Sequence, residues 1–235
     1  MSSEKVAIKG LCKSFGRQKV LDGLDISFEI GERVALVGQN GAGKTTLIRC
    51  LLGQLGYEGQ INIFGMDPRK DRLKVLERTG FVPQHPPPLQ MSVAELVALS
   101  TGLNGKDSLG AVIETANKLG LDIEQHGRQV FSKLSGGMKQ KVLIALALAR
   151  RPSILIMDEP AANLDPEGRE ALYQHLNDSA SETFMLLSSH RVDEIRHLIS
   201  RVTEMDCGKI VLDSPVSEVL HHKEKTGKGG RKNRK

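Results

Sequence analysis

The sequence lacks long apolar runs. Its longest uninterrupted apolar stretch, VLIALALA at Val142–Ala149, is well short of the about 18–20 residues that a helix needs to cross a bilayer. The N-terminal segment MSSEKVAIKG also lacks the apolar core of a signal peptide. We therefore expect a protein of the cytoplasm that has no membrane-spanning helix of its own.

Cysteine is scarce as well. Three cysteines occur, Cys12, Cys50 and Cys207, and they lie far apart in the sequence with no Cys-x-x-Cys pair. This spacing argues against a disulfide framework or a cysteine-based metal site. We expect three reduced thiols packed within the fold.

A charge bias is absent once the end of the chain is set aside. The formal net charge is +5, but the segment Lys223–Lys235 carries seven basic residues and one acidic residue, so the remainder is close to neutral at −1. We expect a disordered basic tail at 221–235, because it has nothing apolar to bury. The tail could meet anionic lipid or nucleic acid. A solubilising tail without a fixed partner is an equal alternative.

The order of predicted elements indicates an α/β fold interrupted by a helical insert. The first part alternates apolar and polar residues, which is typical of half-buried strands. The spacing becomes helical from Ser92 to about Arg151, and Glu95 completes a capping box with Ser92. Before it, the three consecutive prolines of TGFVPQHPPPL exclude a helix interior or a central strand. Buried strands and helices then alternate again. We predict one domain at 4–220, with the helical part at about 86–151.

The segment GQNGAGKT, at Gly38–Thr45, fits the phosphate-loop pattern G-x-x-x-x-G-K-[ST] at every fixed position. A buried strand precedes it and a helix follows, which a chance glycine turn would not provide. The glycines let the backbone turn its N–H groups toward phosphate oxygens, Lys44 adds positive charge, and the Thr45 hydroxyl can ligate Mg²⁺. The predicted nucleotide contacts in this segment are Gly38, Gln39, Asn40, Gly41, Ala42, Gly43, Lys44, Thr45 and Thr46.

A second motif, ILIMDEP, ends a buried strand with two adjacent acids. Ligand sites of open α/β sheets lie at the carboxyl ends of their strands. We expect Asp158 to hold Mg²⁺, directly or through water, and Glu159 to act as the general base toward an attacking water. In isolation two such acids would more simply form a solvated strand end.

Five further motifs occur along the chain: KSFG, FVPQ, LSGGMKQK, AANLDP and SSH. Their order and spacing around the phosphate loop and the acidic strand end resemble the ATP-binding cassette (ABC) ATPases, over about residues 4–220. The resemblance implies an α/β P-loop NTPase core with an N-terminal antiparallel β subdomain and an inserted α-helical subdomain. It also implies that the chain binds ATP and Mg²⁺ and hydrolyses ATP to ADP and phosphate.

The resemblance implies a role for one residue in each of three motifs. Phe15 would stack on adenine, Gln84 would sense Mg²⁺ and the attacking water, and His190 would contact the γ-phosphate. Without the family, Phe15 would be interpreted as a core residue at a strand end, Gln84 as a loop residue and His190 as structural. Gln84 is therefore both a catalytic and a metal-contact prediction, and His190 a catalytic one.

The two remaining motifs imply a second subunit. LSGGMKQK is the family signature, and its residues Ser135, Gly136 and Gly137 would close on the γ-phosphate of an ATP held by the partner. Asp165, in AANLDP, would lie at the interface between the two ATP sites. We expect a head-to-tail dimer, most simply a homodimer.

Three functions remain open for such a chain. It could be the ATPase subunit of a transporter whose membrane-spanning permease is a separate chain, a soluble cassette acting on ribosomes, DNA or cluster assembly, or a regulatory ATP-binding module. The last is disfavoured because Glu159, Asp158, Gln84 and His190 are all present. The single cassette without coiled-coil heptads disfavours most of the soluble types, so nucleic acid is not the expected partner.

The transporter function implies a place for the chain and a docking segment. It would sit on the cytoplasmic face of the inner or plasma membrane through its permease. Pro86–Met91 would line a groove for a helix of the permease, although the default interpretation of apolar residues such as Leu89 and Met91 is packing inside the helical insert. The segments NGAGKTTLIRCLLG and LSSHRVDEIRHLISRVTEMDCGKIVLDSP resemble the ABC-2 exporter group, so export is favoured over import.

Overall fold

The fold is described from a computed structural model, which covers residues 5–104, 109–178, 182–190 and 192–219, the side chains of residues 103 and 104 excepted. The predicted tail at 221–235 lies outside the described residues. The two ends of the predicted domain, residues 4 and 220, also lie outside them. Within the described parts of the chain, no helix combines the length and apolar character that a membrane crossing needs.

Strands and helices alternate through most of these residues. The strands are β1 (Lys5–Phe15), β2 (Gln18–Glu29), β3 (Arg33–Val37), β4 (Glu58–Ile63), β5 (Thr79–Val82), β6 (Ile154–Asp158), β7 (Phe184–Ser188), β8 (Arg201–Asp206) and β9 (Lys209–Pro215). The helices are α1 (Lys44–Leu51), α2 (Arg72–Glu77), α3 (Val93–Asn104), α4 (Leu109–Lys118), α5 (Ile123–His126), α6 (Gly136–Ala149), α7 (Pro166–Asn177) and α8 (Val192–Ile195). A 3₁₀ turn at Phe131–Lys133 and a helical turn at 216–219 occur as well.

The N-terminal strands form an antiparallel sheet in the order β2-β1-β4. Alternate residues of β1 are buried, among them Val6 and Ile8, as are Ile61 and Ile63 of β4. This period of two places one face of the sheet against the core and the other toward solvent. The predicted antiparallel β subdomain is therefore present.

The central sheet has six strands in the order β5-β6-β7-β3-β8-β9. Its pairs are parallel except for the antiparallel hairpin β8–β9. β6 and β7 are buried at every position, which explains why their sequences are nearly continuous apolar runs. Because neighbouring parallel strands end at the same edge, β3, β6 and β7 deliver the residues that follow them to one place.

Helices α3 to α6 form the inserted part. The predicted capping box at the start of α3 is confirmed, because the Ser92 N–H donates to Glu95 Oε2 at 2.7 Å and the Glu95 N–H donates to Ser92 Oγ at 3.2 Å. Between α4 and α6 the structure adds the short helix α5 and the 3₁₀ turn. The helix α6 is therefore the fourth helix of the insert.

Two apolar clusters cover the two faces of the central sheet. One joins the inserted helices to α7 and to side chains such as Leu155 and Leu187 of β6 and β7. The other joins α1 and the antiparallel sheet to the alternate residues Ile156 and Leu186 of the same strands. The central sheet is therefore buried from both sides.

The short elements α2 and β5 were also not predicted from the sequence, and one cysteine was misjudged. The helix α2 has six residues, of which Val75 is buried, and β5 has four residues at the edge of the central sheet. Both are too short to show a clear period, and the prolines that were taken to break the pattern begin just after β5. Cys50 is buried as expected, but Cys207 is exposed in the β8–β9 turn.

Candidate nucleotide-binding and hydrolysis site

The phosphate loop connects β3 to α1 through three glycines in left-handed or otherwise positive-φ conformations. Their φ values are 143° at Gly38, 86° at Gly41 and 105° at Gly43. A Cβ added at Gly38 would lie 2.2 Å from the carbonyl oxygen of Met205, so the loop also passes too close to β8 for a side chain there. Glycine is required for this loop shape because other residues avoid such φ values and have a Cβ.

The start of α1 is prepared for an anion. No side chain caps this helix, so the N–H groups of its first turn have no partner from a capping residue. The Lys44 ammonium donates to the carbonyls of Gly38 at 2.6 Å and Gln39 at 3.1 Å, which holds it across the loop. Burial lowers the pKa of Lys44, and the carboxylates of Glu159 and Asp158 act in the opposite direction. The uncapped dipole end and the adjacent ammonium suit a phosphate group.

Asp158 joins the phosphate loop to the neighbouring strands. Its Oδ2 accepts a hydrogen bond from the Thr45 hydroxyl at 2.8 Å, and its Oδ1 accepts one from the Ser188 hydroxyl at 2.5 Å. Asp158 and Ser188 are paired residues of the adjacent strands β6 and β7. The carboxylate is thus fixed from both sides, with one oxygen facing the phosphate loop.

Glu159 is held in an unusual backbone conformation. Its φ is 49°, a left-handed value that is uncommon for a non-glycine residue. Its N–H donates to Ser188 Oγ at 2.9 Å, so Ser188 positions both acids. His190 Nε2 lies 3.1 Å from Glu159 Oε1, an oxygen that is buried and has no hydrogen-bond partner among the described residues. This oxygen therefore has His190 as its close polar neighbour, and it lies on the wall of the phosphate-loop cavity.

These groups line one cavity of about 290 Å³. It brings together the predicted residues of the loop, of the acidic strand end and of two other motifs, and it adds two residues that sequence analysis missed. The predicted ones are Asn40, Gly41, Ala42, Gly43, Lys44, Thr45, Thr46, Gln84, Asp158, Glu159 and His190, and the missed ones are Gln18 and Val20. Gly38 and Gln39 instead contribute the carbonyls that hold Lys44.

The missed residues have one common cause. Gln18 and Val20 lie at the start of β2, Ser188 ends β7, and all three reach the site through strand pairing or loop packing. No local motif marks Gln18 or Val20. Ser188 stands in the SSH motif two residues before His190, and its adjacency to Asp158 follows from the strand order.

Phe15 lies outside this lining. It is 48% exposed at the end of β1, beside the Gly16 turn, and the Lys13 ammonium lies 5.0 Å from the centre of its ring. An exposed ring with a cation on it is not the core residue that the sequence alone would favour. Phe15 is open to a planar partner, and its role with adenine stays a prediction.

The signature residues also lie outside the cavity lining. Ser135 caps α6, because its hydroxyl accepts a hydrogen bond from the Met138 N–H at 3.2 Å. A Cβ added at Gly137 would lie 2.9 Å from the carbonyl oxygen of Asn163, whereas one added at Gly136 would meet nothing within 4 Å. The signature therefore packs against the loop that follows β6, away from the phosphate loop of its own chain.

Asp165, the predicted interface residue, is held by α6. Its Oδ1 lies 3.0 Å from the Lys141 ammonium, and 53% of the Asp165 side chain is exposed. The hydrogen bond from Lys141 lowers the pKa of Asp165. The ion pair links the signature helix to the start of α7, a connection that sequence analysis did not predict.

The residues at the phosphate loop fit a magnesium ion that is shared with a phosphate. Thr45 and Asp158 lie within hydrogen-bond distance of each other, and Gln84 lines the same cavity. They offer a hydroxyl, a carboxylate and an amide oxygen, the hard ligands that Mg²⁺ prefers. Among the described residues, no group of three or more His, Cys, Asp or Glu side chains forms a closed metal site. Mg²⁺ commonly completes its shell with water and substrate phosphate.

The sequence and fold are similar to those of known proteins. The family described as ABC transporter matches residues 21–162. A tungstate uptake system ATP-binding protein from Peptoclostridium acidaminophilum is 33% identical over 215 residues, which are 88% of this chain and 96% of that protein. A bacitracin transport ATP-binding protein from Bacillus licheniformis is 33% identical over 219 residues, which are 92% of this chain and 71% of that protein.

A solved structure confirms the predicted fold. It is a dimeric ATP-binding cassette in a post-hydrolysis state, bound to ADP and Pi, and it matches with a TM-score of 0.80 at 22% identity. The match covers 90% of this chain and 98% of that one. The predicted α/β class, with its antiparallel sheet and helical insert, is therefore correct.

Proposed function

Because the chain belongs to the ABC transporter family and is an ATPase, we propose that it powers a separate membrane permease. The observation that carries this proposal is the match to the ABC transporter family. The convergence of Thr45, Asp158, Glu159 and His190 on one cavity beside an uncapped helix start supports the ATP turnover that the proposal needs. The alternative of a regulatory module without turnover would not need Glu159 held beside His190 at the cavity wall. The soluble cassette is the runner-up function.

The geometry supports a specific division of labour in ATP hydrolysis. Lys44 and the first N–H groups of α1 bind the phosphates, and Glu159 Oε1 takes a proton from the attacking water as the P–O bond to ADP breaks. His190 orients Glu159 and reaches the γ-phosphate. Thr45, Asp158 and Gln84 would hold Mg²⁺, which when bound offsets negative charge on the phosphate oxygens.

The second half of the site comes from a partner subunit in this proposal. Ser135, Gly136 and Gly137 lie outside the cavity lining of their own chain, and Gly136 has open space around it. A head-to-tail pair would place them on the partner's γ-phosphate, with Asp165 at the interface. We propose a homodimer as the simplest assembly.

We further propose that the chain sits on the cytoplasmic face of the membrane through its permease. The predicted groove segment Pro86–Met91 is only partly available, because Leu89 and Met91 pack against the apolar cluster of the helical insert. The exposed Pro88 is therefore a better test position than either. Pro88→Glu should release the chain from membranes while ATPase activity in detergent is kept. Unchanged membrane association would contradict the docking surface.

The direction of transport follows from the permease, and we propose export from the resemblance to the ABC-2 group. Import is the second candidate, favoured by the 96% coverage of a relative that serves tungstate uptake. We also propose that the basic tail contacts anionic lipid. Nucleic acid is not an expected partner.

The function is tested with the purified chain and with solubilised membranes. We expect Mg²⁺-dependent release of phosphate from ATP and co-purification of a polytopic membrane protein that stimulates it. Reconstituting that pair in liposomes then gives the direction of transport. ATP hydrolysis without any membrane partner, and with a soluble complex instead, would favour the runner-up.

A further inference from the structure

Arg169 on α7 connects two loops that leave the central sheet. Its Nη2 donates to the carbonyl oxygen of Leu164 at 3.4 Å, and its Nη1 lies 3.5 Å from Glu194 Oε2. Leu164 is buried in the segment between β6 and α7, and Glu194 is on α8, just after β7. One side chain thus joins the two segments.

The two joined segments are those that carry Glu159 and His190. The first leaves β6 at Glu159 and turns tightly, because the Ala162 N–H donates to the Glu159 carbonyl at 3.2 Å and the Leu164 N–H donates to the Ala161 carbonyl at 3.2 Å. The second leaves β7 through His190 and enters α8 at Val192. A change in their separation would therefore change the 3.1 Å approach of His190 to Glu159.

Packing alone does not hold the two segments together. A cavity of about 230 Å³ lies between them, lined on one side by Glu159 and Ala161 and on the other by Ser189 and His190, with Arg169 also on its wall. The space leaves fewer contacts to fix their separation than a filled core would. Arg169 spans this region, so its hydrogen bond to Leu164 and its ion pair with Glu194 add to the apolar contacts that the two segments share.

We infer that Arg169 is a positioning residue that holds His190 against Glu159 and transmits movement of the Ala161–Asp165 segment to that pair. The inference deepens the proposed function, because it rests on catalytic roles for both residues. Arg169 does not line the phosphate-loop cavity, so it acts through the pair and not on ATP. The segment that Arg169 holds also carries Asp165, the predicted contact to the second subunit. A movement of this segment on dimer closure would therefore be transmitted to Glu159 through Arg169.

The side chain suits this task better than a lysine would. A planar guanidinium can donate in two directions at once, to Leu164 and to Glu194, whereas an ammonium on a flexible stem cannot reproduce that fork. Arg169 Nε is buried without a hydrogen-bond partner among the described residues. A lysine in its place would keep the charge and lose the bridge.

Steady-state ATPase kinetics test the inference. We expect Arg169→Gln to lower kcat by about 10- to 100-fold, the scale of a small misplacement of a reacting group, with the KM for ATP changed less than about twofold. Arg169→Lys should recover only part of the loss, and Glu194→Gln should lower kcat in the same direction. Glu170→Gln, one residue along on the exposed side of α7, is the matched control and should leave kcat unchanged.

A His190→Ala background separates positioning from a general structural effect. Measured by single-turnover hydrolysis, Arg169→Gln should add little in that background, because its route of action is already removed. A further loss as large as in the wild type would overturn the inference. So would a raised KM with normal kcat, or full activity of Arg169→Gln.

Two controls keep the outcomes distinct. If Arg169→Gln lowers the melting temperature, the inference is judged by the kcat values of the folded variants Arg169→Lys and Glu194→Gln. ATP-dependent dimerisation is compared in the Glu159→Gln and Glu159→Gln/Arg169→Gln proteins, and loss of the dimer would place Arg169 at the interface and overturn its role as a positioning residue. If the unaltered chain hydrolyses no ATP under any condition, the proposed function itself fails.

Discussion

The chain has two glycine-led helix starts, and they differ in what satisfies them. The start of α1 has no side-chain cap and lines the cavity with Lys44 and Asp158. The start of α6 is capped by its own Ser135, and Gly137 packs against the Asn163 carbonyl. In a single chain the start of α1 is open to an anion, whereas one N–H group in the first turn of α6 already has a hydrogen-bond partner in the Ser135 side chain. The difference fits the proposal that the two starts serve one ligand from two subunits.

The largest expected effect isolates the chemistry on the α1 side. Glu159→Gln should slow ATP hydrolysis by about 100- to 10,000-fold, because the amide cannot accept the proton of the attacking water. ATP affinity should be kept, and a stable ATP-bound dimer should appear by size-exclusion chromatography. Phosphate release from this variant at the normal rate would remove Glu159 from the role of base.

The next effect compares the loss of one lysine at each helix start. Lys44→Ala removes a phosphate-facing charge and should weaken ATP binding by about 10- to 100-fold, the scale of a hydrogen bond to an ionised group. Lys139→Ala, on the first turns of α6, should leave the affinity of the monomer unchanged. Titration with a fluorescent nucleotide measures both. Equal losses would mean that both starts bind ATP within one chain.

Removing the α6 cap should have a smaller effect. Ser135→Ala should lower the free energy of unfolding by about 1 kcal/mol, the usual cost of losing an N-cap. For a chain of this size that is a fall of about 2–4 °C in melting temperature per kcal/mol. ATP binding by the monomer should stay the same, while dimer formation in the Glu159→Gln background weakens. A weaker monomer affinity would contradict the comparison.

The smallest effect concerns the ion pair that ties α6 to α7. Lys141 lowers the pKa of Asp165, so Lys141→Met should raise that pKa toward its ordinary value, as followed by NMR titration of the carboxyl group. The contribution of Asp165 to stability is present above the pKa of the unfolded chain and is lost as pH falls through the lower folded pKa. Lys139→Met is the control. An unshifted Asp165 would mean that the pair does not form in solution.

The sequence predicted the parts of the site that are written as continuous motifs. The phosphate loop and the acidic end of β6 depend on neighbours within a few residues, and they line one cavity. The capping box of Ser92 and Glu95, in the helical insert, is as local and is also formed. The roles assigned to all the site residues stay predictions, because they need a ligand, a metal ion or a second subunit.

What the sequence did not predict depends on distant contacts. Ser188 reaches Asp158 across paired strands, and Lys141 reaches Asp165 from another helix. From the sequence, Arg169 is only a charged residue of a predicted helix, and its contacts with Leu164 and Glu194 are visible only in the structure. Such contacts follow from strand order and helix packing, which cannot be predicted from the spacing of apolar residues within one segment. The short β5 and α2 were missed for a related reason, since they are fixed by their neighbours and not by their own pattern.

The left-handed backbone of Glu159 sets folding and function against each other at one position. A φ of 49° there favours glycine or asparagine, and another residue costs about 1–2 kcal/mol. Replacing Glu159 with glycine or asparagine should therefore raise the stability of the fold and abolish ATP hydrolysis. Selection for thermal stability alone would favour another residue at position 159, whereas selection for ATP hydrolysis would keep the glutamate. An engineered stable version of this chain should keep this residue fixed and seek its gains elsewhere.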